Sequence, residues 1–256
     1  MEIIIWIVHQ GISLVIHSCA NFFPVDALKS RMIISYYLQV LLNLLCIYMF
    51  RKYLFRFSVK NVFTRKNLRF CLWGIISGIG MCLAHRLIFI LFPQIGLDLL
   101  SQVGEGYIMS INNYQYSPAI FIYTVLLAPV TEEIFNRGII FNTAHKRHGN
   151  IYAVVVSALL FAIGHYNFMQ FISALCMGLL IGYFIVRTGN VYIGIIIHVA
   201  NNMFSTISSM VLGEKSMEIS YKSMLISSIA GVFILGSGIC MTLYDTGSLS
   251  GRKHKR

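Results

Sequence analysis

Long apolar windows run through this chain and limit the folds open to it. A helix needs about 20 apolar residues to span the hydrocarbon layer of a bilayer. Of the 256 residues, 57% are hydrophobic and only 11% are charged, whereas soluble domains carry about a quarter charged residues. We therefore predict an all-α, polytopic membrane helix bundle of about eight transmembrane helices, forming a single transmembrane domain over residues 1–256. The predicted spans are 3–23, 33–50, 70–92, 118–144, 151–166, 169–187, 190–212 and 223–244.

The basic residues divide unequally between the connectors of these spans. The 51–69 connector holds seven of the twenty Lys and Arg. If it is cytoplasmic, alternation of eight spans puts fourteen basic residues inside and four outside, as the positive-inside rule predicts. We expect both termini in the cytoplasm, and the 93–117 segment as an external loop to which the sequence assigns no role. The Ile-, Asn- and Lys-rich composition favours a bacterial plasma membrane.

The net charge of +11 raises nucleic acid as a partner. The basic residues, however, form short runs beside apolar windows, as in the tail RKHKR, which is typical of juxtamembrane segments. We expect the lipid bilayer as a partner and no nucleic acid. The first window has no basic residue before it, so we interpret it as a retained span rather than a signal peptide.

Charged residues interrupt the fourth window. The segment APVTEEIFNRGIIF places Glu132, Glu133 and Arg137 between apolar flanks. A carboxylate at mid-bilayer costs about 2.5–3.5 kcal/mol on insertion scales, so such residues usually have a function. Glu133 and Arg137 stand at i, i+4 with the acid first, which favours an ion pair. Glu132 lies about 100° round the helix and is left available. Pro129 just before the two glutamates removes one helical hydrogen bond and predicts a bend. The alternative role for the Glu133–Arg137 pair is purely structural, joining one helix to another.

Two later windows also contain polar residues. LLFAIGHYNF places Phe161 and His165 at i, i+4, and GIIIHVANNMF places His198 and Asn202 in the same relation. A lone histidine in an apolar helix is usually a packed core residue, but polar residues in three windows favour one shared site. In the window 169–187, Ala174, Gly178 and Gly182 lie four residues apart, which predicts close helix packing.

These side chains suit the activation of water. A buried glutamate can accept a proton from water, and an imidazole can share that role or bind a metal. A second imidazole and an amide N–H can stabilise the oxyanion of a tetrahedral intermediate. The combination fits hydrolysis of an amide bond within the membrane, with a peptide or membrane protein as the substrate.

The three segments read, in chain order, EExxxR, FxxxH and HxxxN. This ordered set in an eight-span chain resembles the CAAX protease and bacteriocin-processing family of intramembrane proteases, called CPBP or Abi. The resemblance makes 118–212 the catalytic core, and the family's bacterial members imply a partner in a signalling or bacteriocin system. It implies three shared roles for six residues: water activation by Glu132 with His165, support by Glu133 with Arg137, and oxyanion stabilisation by His198 with Asn202.

The resemblance leaves the use of a metal open. The family is often described as metalloproteases, and a metal-free glutamate mechanism is also argued for it. In the metal version, Glu132, His165 and His198 would hold zinc with one coordination position open. No HExxH pair fixes two ligands on one helix here, so we favour metal-free chemistry, with zinc as the alternative.

Two non-proteolytic hypotheses are alternatives to the function of an intramembrane protease. The first is a non-catalytic membrane adaptor or bacteriocin-immunity protein of the same fold, which would not depend on Glu132. The second is a transporter or proton relay, which would also use buried Glu, His and Arg. The clustering of the motifs in the middle spans and the lack of an inverted repeat in the sequence argue against transport.

Overall fold

The computed structural model describes residues 1–20, 28–54, 64–87, 117–165, 168–212 and 221–253. All regular secondary structure in these ranges is helical, and the predicted all-α membrane bundle is confirmed. The helices are α1 Glu2–Ala20, α2 Leu28–Met49, α3 Arg65–Ala84, α4 Pro118–Ile122, α5 Ala128–Glu133, α6 Asn142–Ile163, α7 Phe168–Thr188, α8 Val191–Leu212 and α9 Tyr221–Lys253. A 3₁₀ turn, Arg51–Tyr53, follows α2. Two π-helical segments separate the later helices: Tyr123–Leu127 lies between α4 and α5, and Ile134–Phe141 lies between α5 and α6.

Six helical segments in the described ranges are long and apolar enough to span a membrane. One of them, Pro118–Ile163, has 46 residues, which corresponds to about 69 Å of helix at 1.5 Å per residue. A hydrocarbon layer is only about 30 Å thick, so this segment is too long for one crossing. A shorter apolar stretch, Glu2–Val15, lies in α1. The count of eight spans and the cytoplasmic termini stay predictions, as do the single domain and its core at 118–212.

A glycine divides the long segment. Gly149 has φ +82° and ψ −174°, which is not helical and which L side chains rarely adopt. The chain therefore turns within the predicted connector 145–150. Of the predicted external loop 93–117, the structure describes only Ser117.

Small residues let α6 and α7 pack closely. A Cβ atom added at Gly178 would lie 2.8 Å from Cα of Ala158, and one at Gly182 would lie 3.0 Å from the Val154 side chain. Both distances are shorter than ordinary van der Waals contact, so a larger residue at either position would force its neighbour in α6 to move. The predicted small-residue face of α7 thus packs against α6.

The largest buried cluster lies around α7. It includes Phe184 and Ile181 of α7 together with Ile193 and Ile197 of α8, all fully buried. Packing of α8 against α7 fixes the depth of the later residues of α8, among them His198. On the other side of the bundle, α1 is joined to α6 by a hydrogen bond of 2.8 Å from Trp6 Nε1 to the Leu160 carbonyl.

Candidate active site

A buried charge network links α5 to α8. Oε1 of Glu133 accepts a hydrogen bond of 3.1 Å from Nη1 of Arg137 and is 2.9 Å from Nδ1 of His198. Glu133 and Arg137 are both 0% exposed, and His198 is 7% exposed. The predicted i, i+4 ion pair is present, and it also binds the histidine of the third motif. Glu133 therefore orients a side chain on another helix, which the sequence did not predict.

Glycines make room for this network. A Cβ atom at Gly178 would lie 3.2 Å from Nη2 of Arg137. A Cβ atom at Gly194, one turn before His198, would lie 2.7 Å from the Ile181 side chain and 3.5 Å from Oε2 of Glu133. The close approach of α7 and α8 to the ion pair thus depends on two positions without side chains.

Phe161 brings the cation and the two histidines together. The Arg137 guanidinium carbon lies 4.7 Å from the centre of its ring, within the usual range for a cation–π contact. The ring centres of His165 and His198 lie 4.8 Å and 5.8 Å from that of Phe161, both in edge-to-face geometry. The phenylalanine of the second motif therefore forms the apolar wall shared by all three cationic or titratable side chains.

Within the described residues, the hydrogen bonds of the two histidines leave the same ring atom available in each. Nδ1 of His165 lies 3.0 Å from the carbonyl oxygen of Phe161, and a carbonyl can only accept, so Nδ1 carries the proton. Nδ1 of His198 in the same way donates to the Glu133 carboxylate. In each ring, Nε2 is then the atom that can exchange a proton or donate to a substrate.

Glu132 differs from Glu133 in its surroundings. It is partly exposed, whereas Glu133 is fully buried. Its backbone carbonyl accepts a hydrogen bond of 2.9 Å from Nδ2 of Asn136. Among the residues that the structure describes, its carboxylate makes no hydrogen bond or ion pair, although it interacts electrostatically with Arg137 and His9. The carboxylate is therefore available to a substrate or to water.

Asn202 connects α8 to the segment that precedes Glu132. Its Nδ2 donates a hydrogen bond of 2.9 Å to the carbonyl of Thr124. An amide has two N–H groups, so one remains available on the side chain. Because Asn202 follows His198 by four residues in α8, the two side chains share one face of the helix.

The two glutamates lie between wide helical turns. The π-helical segments Tyr123–Leu127 and Ile134–Phe141 flank α5, and the N–H of Ala128 donates to the carbonyl of Tyr123, five residues earlier. The sequence predicted a bend at Pro129, but the backbone remains helical there and becomes wider on both sides. π-helical turns often occur at functional sites, and here they set the direction of both glutamates.

The donor set does not fit the three-ligand zinc site considered from the sequence. In the described part of the chain, no three His, Cys, Asp or Glu side chains gather closely enough to hold a metal ion. Glu132, His165 and His198 come from three separate helical segments, and Nδ1 of each histidine is bonded within the protein, so only Nε2 of each ring could bind an ion. The described side chains therefore do not form a three-ligand metal site in this arrangement.

Residues of α1 and α2 also reach the glutamate helix, and the sequence analysis assigned them no role. Nδ2 of Asn43 donates a hydrogen bond of 3.0 Å to Oγ1 of Thr131, and Nε2 of His9 lies 2.7 Å from Oδ1 of Asn43. Polar residues inside the first two apolar windows were the signal that could have revealed this contact.

Comparisons with known proteins concern this central region. Residues 114–204, which contain all three motifs, match the family model described as "Type II CAAX prenyl endopeptidase Rce1-like". The resemblance to the CPBP family is confirmed. A stretch of 93 residues, 36% of this chain, is 27% identical to a Bacillus subtilis (strain 168) protein named "Putative membrane peptidase YdiL" and covers 38% of that protein. No solved structure matches the chain. The CPBP-like region thus includes the network around Glu133, whereas α1 to α3 lie outside it.

Proposed function

We propose that this protein is an intramembrane endopeptidase that hydrolyses a peptide bond of a membrane-associated or exported peptide or protein. The observation that carries the proposal is the buried Glu133–Arg137–His198 network beside the available carboxylate of Glu132. An ion pair that only joined two helices would not need a histidine on its carboxylate. The match of residues 114–204 to a family of prenyl endopeptidases supports the same reaction class.

In the proposed reaction, Glu132 is the general base and His165 assists it. The Glu132 carboxylate takes a proton from water, and the resulting hydroxide attacks the carbonyl carbon of the scissile bond. Nε2 of His165, which has a lone pair because Nδ1 donates to Phe161, helps to hold that water. When the C–N bond breaks, the proton passes from Glu132 to the leaving amine, so that one water is consumed for each bond cut.

The proposed oxyanion site is formed by α8. The negative charge of the tetrahedral intermediate would be stabilised by N–H donors from Nε2 of His198 and Nδ2 of Asn202. Because Nδ1 of His198 donates to Glu133, donation from Nε2 requires the ring to carry both protons. The net charge of these four side chains is then zero, because the carboxylates of Glu132 and Glu133 are matched by the cations Arg137 and His198. Glu133 and Arg137 therefore act through His198 rather than on the substrate.

Peptide profiling of cells tests the proposed function. Membrane and secreted peptides from cells with the wild-type protein are compared with those from cells with Glu132→Gln at equal abundance in the membrane. We expect at least one precursor to accumulate uncut in the variant, and its missing cleavage site to identify the scissile bond. Identical peptide profiles would instead favour the adaptor or immunity protein, which does not depend on Glu132.

Metal removal tests the form of the chemistry. Because Glu132, His165 and His198 do not form a three-ligand cluster, we expect purified protein to retain full activity after chelation and transfer to metal-free detergent solution. Activity and metal content are measured on the same sample. Stoichiometric zinc that is lost together with activity, and whose return alone restores it, would contradict the metal-free mechanism.

A further inference from the structure

We propose that His9, in the first helix, is a positioning residue for the Glu132 carboxylate, an inference that rests on the proposed function. His9 is 7% exposed, and its ring stacks on Phe135 with ring centres 4.4 Å apart. Phe135 follows Thr131 by four residues, and Glu132 lies directly after Thr131. The His9 ring thus packs on the helical face next to the proposed base.

A hydrogen-bond chain fixes the His9 ring in place. Nε2 of His9 donates to Oδ1 of Asn43 at 2.7 Å, because Nδ2 of Asn43 is engaged at 3.0 Å with Oγ1 of Thr131. The Thr131 hydroxyl donates to the Leu127 carbonyl at 2.8 Å. His9, Asn43 and Thr131 are all buried, so each lost hydrogen bond would leave a polar group without solvent to replace it.

Further polar groups hold the same ring from α1 and α2. Nε2 of Gln10 lies 3.4 Å from Nδ1 of His9, which fits a neutral ring with an acceptor at Nδ1. Nε2 of Gln39 donates to Oδ1 of Asn43 at 3.3 Å, and Oε1 of Gln39 accepts from Ser13 at 2.8 Å. The network therefore connects two helices to Thr131 through side-chain hydrogen bonds.

The backbone around Glu132 departs from regular α-helical hydrogen bonding. Pro129 has no N–H to donate within the helix, and the turns on both sides of α5 are π-helical. The Thr131 hydroxyl contacts the Leu127 and Ala128 carbonyls in this irregular region. The series of side-chain hydrogen bonds that starts at His9 therefore ends where the backbone departs from regular α-helical hydrogen bonding. Loss of His9 would thus remove a support of the turn that carries the proposed base.

A structural role for His9 predicts a different result from a positioning role. Trp6 lies on the same helix and joins α1 to α6 by its hydrogen bond to the Leu160 carbonyl, with no contact to Thr131 in the described network. Trp6→Phe therefore removes one helix-anchoring hydrogen bond and leaves the His9 chain intact. It is the matched control for His9→Phe, which keeps an aromatic ring against Phe135 and removes the hydrogen bond to Asn43.

The test measures cleavage by four variants, first in cells and then with each purified variant protein. The purified proteins are given a synthetic copy of the precursor that accumulates uncut in cells with Glu132→Gln. The variants are Glu132→Gln, His9→Phe, His9→Gln and Trp6→Phe. We expect His9→Phe to lower kcat about 10-fold to 10²-fold with KM unchanged, the size usual when a catalytic group is displaced. His9→Gln should recover most of kcat, because its amide N–H can reach Asn43, and Trp6→Phe should leave kcat unchanged.

Each outcome separates this inference from the proposed function. Equal losses of kcat and thermal stability in His9→Phe and Trp6→Phe, or no recovery in His9→Gln, would show that His9 only anchors α1. A His9→Phe protein as active as wild type, while Glu132→Gln is inactive, would overturn the inference and leave the proposed function in place. The absence of any precursor that depends on Glu132 would overturn both.

Discussion

Replacement of Glu132 by Gln is expected to abolish peptide-bond cleavage while the protein stays folded in the membrane. Gln keeps the size of the side chain but cannot accept a proton from water. The neighbouring Glu133 cannot replace it, because Glu133 is fully buried and bonded to Arg137 and His198. The fold should tolerate the change, because the Glu132 carboxylate makes no hydrogen bond or ion pair in the described part of the chain. We expect turnover below detection and a Tm in detergent within error of wild type.

Asn136→Ala is a suitable control for this experiment. Asn136 lies one turn after Glu132 and its side chain donates to the Glu132 backbone carbonyl, so its loss disturbs the same turn without removing the carboxylate. We expect this variant to keep most of its activity. Normal turnover by Glu132→Gln at wild-type abundance would contradict the assignment of Glu132 as the general base and would require another source of activated water.

The features that follow from local spacing were predictable from the sequence. The ion pair between Glu133 and Arg137 was expected from their i, i+4 relation, and it is present. The contact of His165 with Phe161 follows from the same spacing across the C-terminal end of α6. The helical membrane bundle followed from long apolar windows and few charges. Each of these depends on residues a few positions apart, for which helical geometry fixes the result.

The contacts between helices were not predictable in the same way. The bond from Glu133 to His198 joins residues 65 positions apart, and it depends on how α5 and α8 cross. Hydropathy gives the depth of a helix but not its rotation about its own axis, which neighbouring helices decide. The π-helical turns beside α5 were likewise not predicted from any residue pattern. For the same reason, the contacts of His9 with Phe135 and Asn43 could not be predicted, because they depend on how α1 packs against this segment.

Separate and combined replacement of Glu133 and Arg137 should distinguish their stabilising role from their part in cleavage. Arg137→Met leaves the Glu133 carboxylate buried without its cation, and breaking a buried pair in this way costs about 3–5 kcal/mol. Glu133→Gln with Arg137→Met removes both charges, while the Gln amide oxygen can still accept from Nδ1 of His198. We expect the double variant to recover most of the thermal stability lost in Arg137→Met, because the fully buried position 133 no longer carries a charge without its cation.

Activity should not recover with stability in the same double variant. Without the Glu133 carboxylate, Nδ1 of His198 loses the negatively charged partner that favours the second proton on the ring, which His198 needs in order to donate from Nε2 to an oxyanion. Loss of one such donor costs about 10²–10³ in rate, so we expect a deficit of that size in a folded protein. Tm in detergent and kcat are measured on wild type, both single variants and the double variant. A double variant as unstable as Arg137→Met would show that the charges are not coupled, and one with wild-type kcat would show that Glu133 does not act through His198.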